Sequence, residues 1–402
     1  MESPRPGPSL PPDAVTTPVW GELHARPHPR PTPERADVCI VGGGISGVAA
    51  LHWCRARELD AVLLERDHLA AGASGRNAGF LLAGVAENYA RAAAAHGRER
   101  AAAVWQFTRE NHRLVRDLIA TADVGYSRRG SWTLAASDAE AESLEEAATL
   151  LAEDGLPGRW IRDLPGPLAH LRGGLFTPDD GEIDPVRLVA AIAAPHRSRI
   201  VEGVAVAALT PEGAEVVVRH SQGELRAARV ILATNAHASE LVPAIPVAPV
   251  RAQMLATAGD PGAALGPPAY AEWGYRYWRQ LADGRVLVGG MRHQARAEEV
   301  GTVCRPTATI QAHLDGELRD LGVAAPVRHR WAGIMGFSPD GLPLAGPLPS
   351  SPGVLLLGGY TGHGMGFAVH AAHCLVSHVV DGTFIPGWLD AARPLPGPGV
   401  TA

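Results

Sequence analysis

The sequence predicts an α/β protein built on a Rossmann-like dinucleotide-binding unit, and two stretches carry that expectation. The first is Asp37-Val38-Cys39-Ile40-Val41-Gly42-Gly43-Gly44-Ile45-Ser46-Gly47, closed by Ala61-Val62-Leu63-Leu64-Glu65. The second lies near the C-terminus. There Val354-Leu355-Leu356-Leu357 ends in Gly358-Gly359-Tyr360-Thr361-Gly362-His363-Gly364-Met365-Gly366, and a helical pattern runs from Phe367 to Val379. Both read as strand, glycine-rich turn, helix N-terminus.

In the first stretch each residue type has a physical task. Gly42 permits the tight turn, Gly44 lets the backbone approach a pyrophosphate, and Gly47 lets the helix pack close on the strand. The helix opened by Ile45 and Ser46 turns its free N–H groups towards the phosphates. Glu65 stands eighteen residues after Gly47 and can accept hydrogen bonds from ribose hydroxyls. A lone glycine triplet would say little, but strand, triplet, helix, strand and acid in this order is specific. The second glycine turn offers another positive helix end, suited to an anionic ring system.

Length and composition narrow the classes. The 402 residues suffice for two domains, and 46% hydrophobic content suits a folded chain. A net charge of −6 with mixed signs gives no basic footprint, so no nucleic-acid partner is expected. All 36 basic side chains are arginine, which excludes Schiff-base and P-loop lysine chemistry. Cys39, Cys54, Cys304 and Cys374 are scattered without paired metal-ligand spacing, so no metal site is expected. Reduced, buried cysteines fit a reducing, cytoplasmic compartment. Residues 1–32 read as a Pro-rich arm with no signal-peptide pattern, with Trp20 a candidate to dock on the body. No later stretch approaches the apolar length of a membrane span.

Between the glycine turns the elements follow local rules. Gly72-Ala73-Ser74-Gly75-Arg76-Asn77-Ala78-Gly79 is too small-sided for a packed helix. It reads either as a lining for a long cofactor or as a flexible surface loop. Residues 91–121 carry a helical period, and a helix over 137–154 starts at a Ser137 or Asp138 cap and stops at Gly155. Asp184-Pro185 opens a further helix as N-cap and N1. Strands over 201–209, 214–220 and 224–232 form a meander that runs out into Ala233-Thr234-Asn235. Tyr275–Leu281, Asp283-Gly284 and Arg285–Gly290 read as a hairpin. Its alternation puts Tyr275, Tyr277 and Arg279 on one face, where they either roof a pocket or leave Arg279 to a surface carboxylate such as Asp283.

Taken together, these residues resemble the FAD-dependent D-amino acid oxidase-like superfamily, which includes glycine oxidase, sarcosine oxidase and γ-glutamylputrescine oxidase. The resemblance rests on 37–65, 72–79, Asp184-Pro185, Ala233-Thr234-Asn235, Ser338-Pro339-Asp340-Gly341-Leu342-Pro343 and 359–365, and covers residues 33–385. It implies a glycine oxidase-like α/β (α+β) architecture with a discontinuous FAD-binding domain (33–90, 183–240 and 333–392). An antiparallel-sheet substrate domain (91–182 and 241–332) is interleaved with it. It implies non-covalent FAD, bound by Gly42, Gly44, Ile45, Ser46, Gly47, Glu65, Arg66, Ala73, Ser74, Arg76, Asn77, Ala78, Val206, Thr234, Asn235, Gly333, Gly362, His363, Gly364 and Met365.

The activity implied is oxidation of the C–N bond of a small amine or amino acid by hydride transfer to flavin N5. The imine would then be hydrolysed and the flavin reoxidised by O2. Arg279, Tyr277, His363 and Arg292 are the candidate catalytic residues, with Arg279 the first choice to hold a substrate carboxylate and Arg292 the second. Three departures stand out. The arginine that clamps the carboxylate in related amino-acid oxidases is absent from Met335-Gly336-Phe337. The flavin-tethering cysteine and histidine positions read Gly333 and Arg76. The lysine that activates oxygen in sarcosine oxidases has no counterpart, which keeps a dehydrogenase with another acceptor open beside the oxidase. A non-catalytic flavoprotein subunit and an NAD-dependent dehydrogenase are the readings from other classes.

Overall fold

The structure, a computed structural model, describes residues 10, 15–21, 30–260 and 262–396. Most of the Pro-rich arm expected over 1–32 lies outside the described residues. The part within them is docked: Val19 is buried, Thr16 N donates to Arg330 O, and Trp20 Nε1 donates to Asn77 O at 2.8 Å.

The strand Arg35–Val41 organises the first of two eight-stranded sheets. Val38 and Ile40 point into one apolar cluster and Cys39 and Val41 into another, as successive strand residues must. The spatial order is Leu344–Pro347, Val354–Gly358, Gly223–Leu232, Arg35–Val41, Ala61–Glu65, Ile200–Glu202. The pairings from Val354–Gly358 onwards are parallel. Helices Ile45–Ala56, Pro185–Ala193 and Gly364–Asp381 bury the Val38–Ile40 side, and the meander Val206–Glu212 and Glu215–His220 closes over the other. A Cβ on Gly47 would lie 1.8 Å from Gly42 O, so the close packing of helix on turn requires glycine there.

The second sheet runs Val327–Phe337, Ala248–Gly259, Arg285–Gly290, Arg276–Gln280, Ala269–Ala271, Ser131–Leu134, Gly174–Thr177, Arg159–Ile161. Its pairings are antiparallel except Ala269–Ala271 with Ser131–Leu134. Trp278, Leu255, Val286 and Val288 pack on helix Ala308–Asp320 through Ile310, Leu314 and Leu318. The opposite face carries Met254, Leu287, Tyr270 and Tyr277 towards Phe80 and Leu82.

Several expected boundaries move. The helix expected from Phe367 begins at Gly364, which brings its N-terminus into the glycine turn itself. The first meander strand breaks at Gly203, where φ is +76°, so Ile200–Glu202 stays in the parallel array and only Val206–Glu212 joins the meander. In the hairpin the loop spans Ala282–Gly284, closed by Gly284 N to Leu281 O, with Gly284 at φ +84°. The division at 332/333 cuts a strand, Val327–Phe337, that pairs along its length within the second sheet. Helix Arg98–Leu118, expected with the substrate sheet, instead shares a core with Gly364–Asp381 because its Val104, Phe107, Leu114 and Val115 face that helix's apolar side. Among the described residues no helix is long and apolar enough to cross a membrane.

Candidate functional site

A cavity of about 1480 Å³ is lined by residues of both sheets. At one end it is lined by Gly42, Gly43, Gly44, Ile45, Ser46, Glu65, Arg66 and Val206, where the parallel strands end. Glu65 is set as an acceptor: its carboxylate takes hydrogen bonds from Gly43 N at 2.5 Å and Asp67 N at 2.8 Å. Burial raises its pKa against those two donors. Helix Ile45–Ala56 has neither a side-chain cap of its own nor an acid in its first turn. Ser74 Oγ accepts from Ile45 N at 2.9 Å instead. The same hydroxyl would meet a Cβ on Gly44 at 2.8 Å, which fixes glycine at the phosphate approach.

The small-residue run 72–79 is a wall and not a flexible loop. Asn77 Nδ2 donates to Ala73 O and Ser74 O, and its Oδ1 accepts from Gly79 N at 2.7 Å. Arg76 Nε reaches Ala71 O at 2.8 Å and Nη1 reaches Ala332 O at 3.1 Å, while Arg76 O accepts from Trp331 Nε1 at 2.9 Å. Ala73, Ser74, Arg76, Asn77 and Ala78 line the cavity, as does Gly333, which packs directly against Arg76.

The helix end at Gly362, His363, Gly364 and Met365 reaches the middle of the cavity, again without a side-chain cap or first-turn acid. Two buried polar atoms of the lining have no protein partner, Thr234 Oγ1 and His363 Nδ1. Burial pushes the His363 imidazole down to about 4, so it is neutral at physiological pH. Asn235, in left-handed backbone at φ +47°, turns its Oδ1 away to accept from Gly359 N. That same Oδ1 would lie 2.4 Å from a Cβ on Gly336. Position 336 therefore holds glycine for packing, and its neighbours Met335 and Phe337 face the cavity.

The substrate-sheet end is aromatic. Tyr270, Tyr275, Tyr277, Trp273 and Phe80 line it with Met254 and Arg292. Burial pushes the Tyr270 and Tyr277 hydroxyls above their ordinary values, which keeps them neutral donors. The Arg292 guanidinium stacks over the Tyr275 ring at 4.7 Å and the Phe337 ring at 5.1 Å.

Arg279 is corrected by its surroundings. It shares a hairpin face with Tyr277 but is 4% exposed and does not line the cavity. Its Nη1 donates to Ala78 O, Gly79 O and Ile183 O, each at 3.0 Å, its Nε is 3.3 Å from Glu182, and its guanidinium lies 5.3 Å from the Trp20 ring. Three carbonyls accept from its Nη1 and Glu182 balances its charge, so it fastens the hairpin to the 72–79 wall. Sequence reasoning missed Tyr270, Trp273, Met254 and Cys304. Tyr270 sits on a three-residue strand and Trp273 in left-handed backbone at φ +55°, positions that leave no periodic signal.

Two helix ends without a first-turn acid, an acid held by backbone amides and one long cavity define a dinucleotide-type flavoprotein. The chain belongs to the FAD-dependent oxidoreductase family, whose pattern matches residues 37–378. It is 28% identical over 367 residues to the tRNA 5-methylaminomethyl-2-thiouridine biosynthesis bifunctional protein MnmC of Maricaulis maris, covering 90% of this chain but only 54% of that one. It thus spans about half the length of that relative. To γ-glutamylputrescine oxidoreductase of Escherichia coli it is 27% identical over 370 residues, 86% of this chain and 84% of the other. Glycine oxidase from Geobacillus kaustophilus shares the fold, with a TM-score of 0.76 at 23% identity over 90% of this chain and 98% of the other.

Proposed function

We propose that this chain oxidises the C–N bond of a small amine or amino acid. The observation that carries the reading is the continuity of one cavity from Glu65, past the helix end at His363, to the Tyr270–Tyr277–Arg292 wall. FAD fits the first part of it: glycine backbone and small side chains line the passage, and Thr234 Oγ1 and His363 Nδ1 await partners. Gly42, Gly44 and Gly47 with the Ile45–Ser46 helix end would hold the pyrophosphate, Glu65 the ribose and Val206 the adenine side. Arg76, Asn77, Thr234, Gly333 and Gly362–Met365 would surround the ring. With Gly333 and Arg76 where relatives carry tethers, the cofactor is held non-covalently. When bound, FAD supplies the acceptor for a hydride from the carbon that bears the nitrogen.

The chain's own part is positioning. The aromatic wall excludes water and sets the amine's C–H towards the ring. The neutral Tyr277 and Tyr270 hydroxyls donate hydrogen bonds without adding charge. The uncapped helix end at Gly364 offsets negative charge in the same region. With its pKa pushed down to about 4, His363 is too weak a base to take the proton of an ammonium, so the reacting amine must arrive unprotonated. The imine product then hydrolyses in water. The names of two relatives, methylaminomethyl and putrescine, point to the same amine class. We assign carboxylate binding to Arg292, since a guanidinium stacked on rings binds a carboxylate through its planar N–H edge.

The test is anaerobic mixing of the yellow protein with amines, polyamines, N-methyl and D-amino acids. Bleaching by one class supports the reading, and no bleaching by any would sink it. Readmitting air, or an artificial acceptor in its place, separates oxidase from dehydrogenase. With a bleaching amino acid in hand, Arg292→Met should raise KM by the equivalent of about 2–4 kcal/mol. The penalty should vanish for the analogue lacking the carboxylate. An equal loss for both would remove Arg292 from the substrate's carboxylate.

A further inference from the structure

Away from the cavity, helix Gly364–Asp381 carries a second cluster of chemistry-bearing residues that the proposed reaction does not use. His370, His373 and Cys374 stand at i, i+3 and i+4, one face of a helix. Among the described residues their ligand atoms lie within 4.8 Å of one another, and each side chain is half-buried.

The surroundings orient them. His370 Nδ1 is 3.1 Å from Phe107 O, and since a carbonyl only accepts, Nδ1 carries the proton and Nε2 keeps its lone pair. The His370 ring is further fixed by stacking on Phe107 at 3.9 Å. A backbone carbonyl holding the second ring nitrogen is the arrangement that orients metal-ligating imidazoles. His373 packs edge-on against Trp53 at 4.7 Å.

We propose that His370, His373 and Cys374 bind a zinc-class divalent ion, with water in the fourth position. Two imidazoles and a thiol are borderline-soft donors that suit tetrahedral zinc and disfavour calcium or magnesium. The charges around the site are mixed. Glu110, on the facing helix, acts on both histidines. Arg113 and Arg57 oppose it, but Arg113 is paired with Glu110 and Asp117, and Arg57 with Asp381. Binding displaces the Cys374 proton to solvent as the sulfur–metal bond forms. Because the sulfur must shed its proton to ligate, affinity should rise with pH. The ion would sit on one helix, with its ligand rings packed against Phe107 and Trp53 of two neighbouring helices.

The test uses the untagged FAD-loaded protein, dialysed against chelator. Calorimetric titration with Zn2+ should show one ion per chain, and Tm should rise on binding. Co2+ should give thiolate charge-transfer and red d–d bands, the latter beyond the flavin's own absorption. His373→Ala/Cys374→Ala should weaken binding by more than the ~10–100-fold that outer-shell changes cost, and abolish the thiolate band. Cys374→Ser alone should remove that band while keeping the fold. The nearby pair His52→Ala/His196→Ala should bind as wild type. Absence of saturable one-to-one binding in the wild type would overturn the site. So would undiminished binding in the His373/Cys374 variants, or loss confined to the His52/His196 pair.

Discussion

Glu65 and Arg279 were both candidate ligand-binding residues from sequence, and they meet opposite fates for a local reason. Glu65 ends a parallel strand, and its carboxylate is aimed by two amides at the cavity. Glu65→Gln should weaken FAD affinity by about 1.5–3 kcal/mol, more than tenfold, without unfolding the chain. Equilibrium dialysis reads this directly, and unchanged affinity would show that the acid does not hold the ribose. Arg279 lies one residue from the end of its strand, with carbonyls closing round it. Burial pushes it down to about 10, still charged at neutral pH, with Glu182 as its counter-ion. Arg279→Met leaves that carboxylate partly unpaired beneath the hairpin. Denaturant unfolding should show a loss of about 3–5 kcal/mol, moderated by Arg129, which also binds Glu182. KM of the variant that remains folded should move far less than in Arg292→Met.

At the scale of elements, the glycine-marked turns were legible because steric exclusion leaves a mark in sequence. Gly42 and Gly47 are forced by backbone contacts that a Cβ would break, and Gly44 leaves room for the Ser74 hydroxyl. The caps at Ser137 and Asp184 were legible too, since their side chains take the first-turn amides. Helix placement was not. The assignment of Arg98–Leu118 to the Gly364–Asp381 helix depends on Asn111, a polar residue in an apolar stripe. Its Oδ1 accepts from Val369 N and His370 N, and its Nδ2 donates to Met365 O at 3.0 Å. Nothing in its spacing announces this bond, which sets the helix whose first turn lines the cavity. Asn111→Ala should cost about 1–3 kcal/mol in thermal or denaturant unfolding. It should also weaken FAD retention, whereas a helix position independent of Asn111 would leave FAD affinity untouched. The face of the hairpin was legible by alternation, but which of its members reach the cavity was decided by how deeply the 72–79 wall inserts beneath it.

For the molecule as a whole, buried titratable groups set the response to acid. His112 is 2% exposed, and burial pushes its pKa down to about 4 from an ordinary 6.5. Between these values the unfolded chain binds a proton that the folded chain does not. Stability therefore falls as pH drops from 6.5 towards 4. His112→Asn has no proton to gain, so its Tm should decline less steeply across that window than the wild type's. Parallel slopes in scanning calorimetry would contradict the assignment. Asp180, pushed up to about 7 by burial, acts in the opposite direction but equally in both proteins, so the comparison isolates His112.

The contact between Asn235 and position 336 reaches into how such a chain can change over generations. A codon change from glycine to arginine at 336 would drive a side chain into Asn235 Oδ1, which already holds Gly359 N in the turn that opens the C-terminal helix. An arginine at this place, as the resemblance to amino-acid oxidases implies for them, is thus closed to a single mutational step. A lineage would first have to replace Asn235 and find the Gly359 amide another acceptor. Until then, selection for a new carboxylate-bearing substrate would fall on Arg292 and the rings that hold it, and directed evolution should find its first gains there.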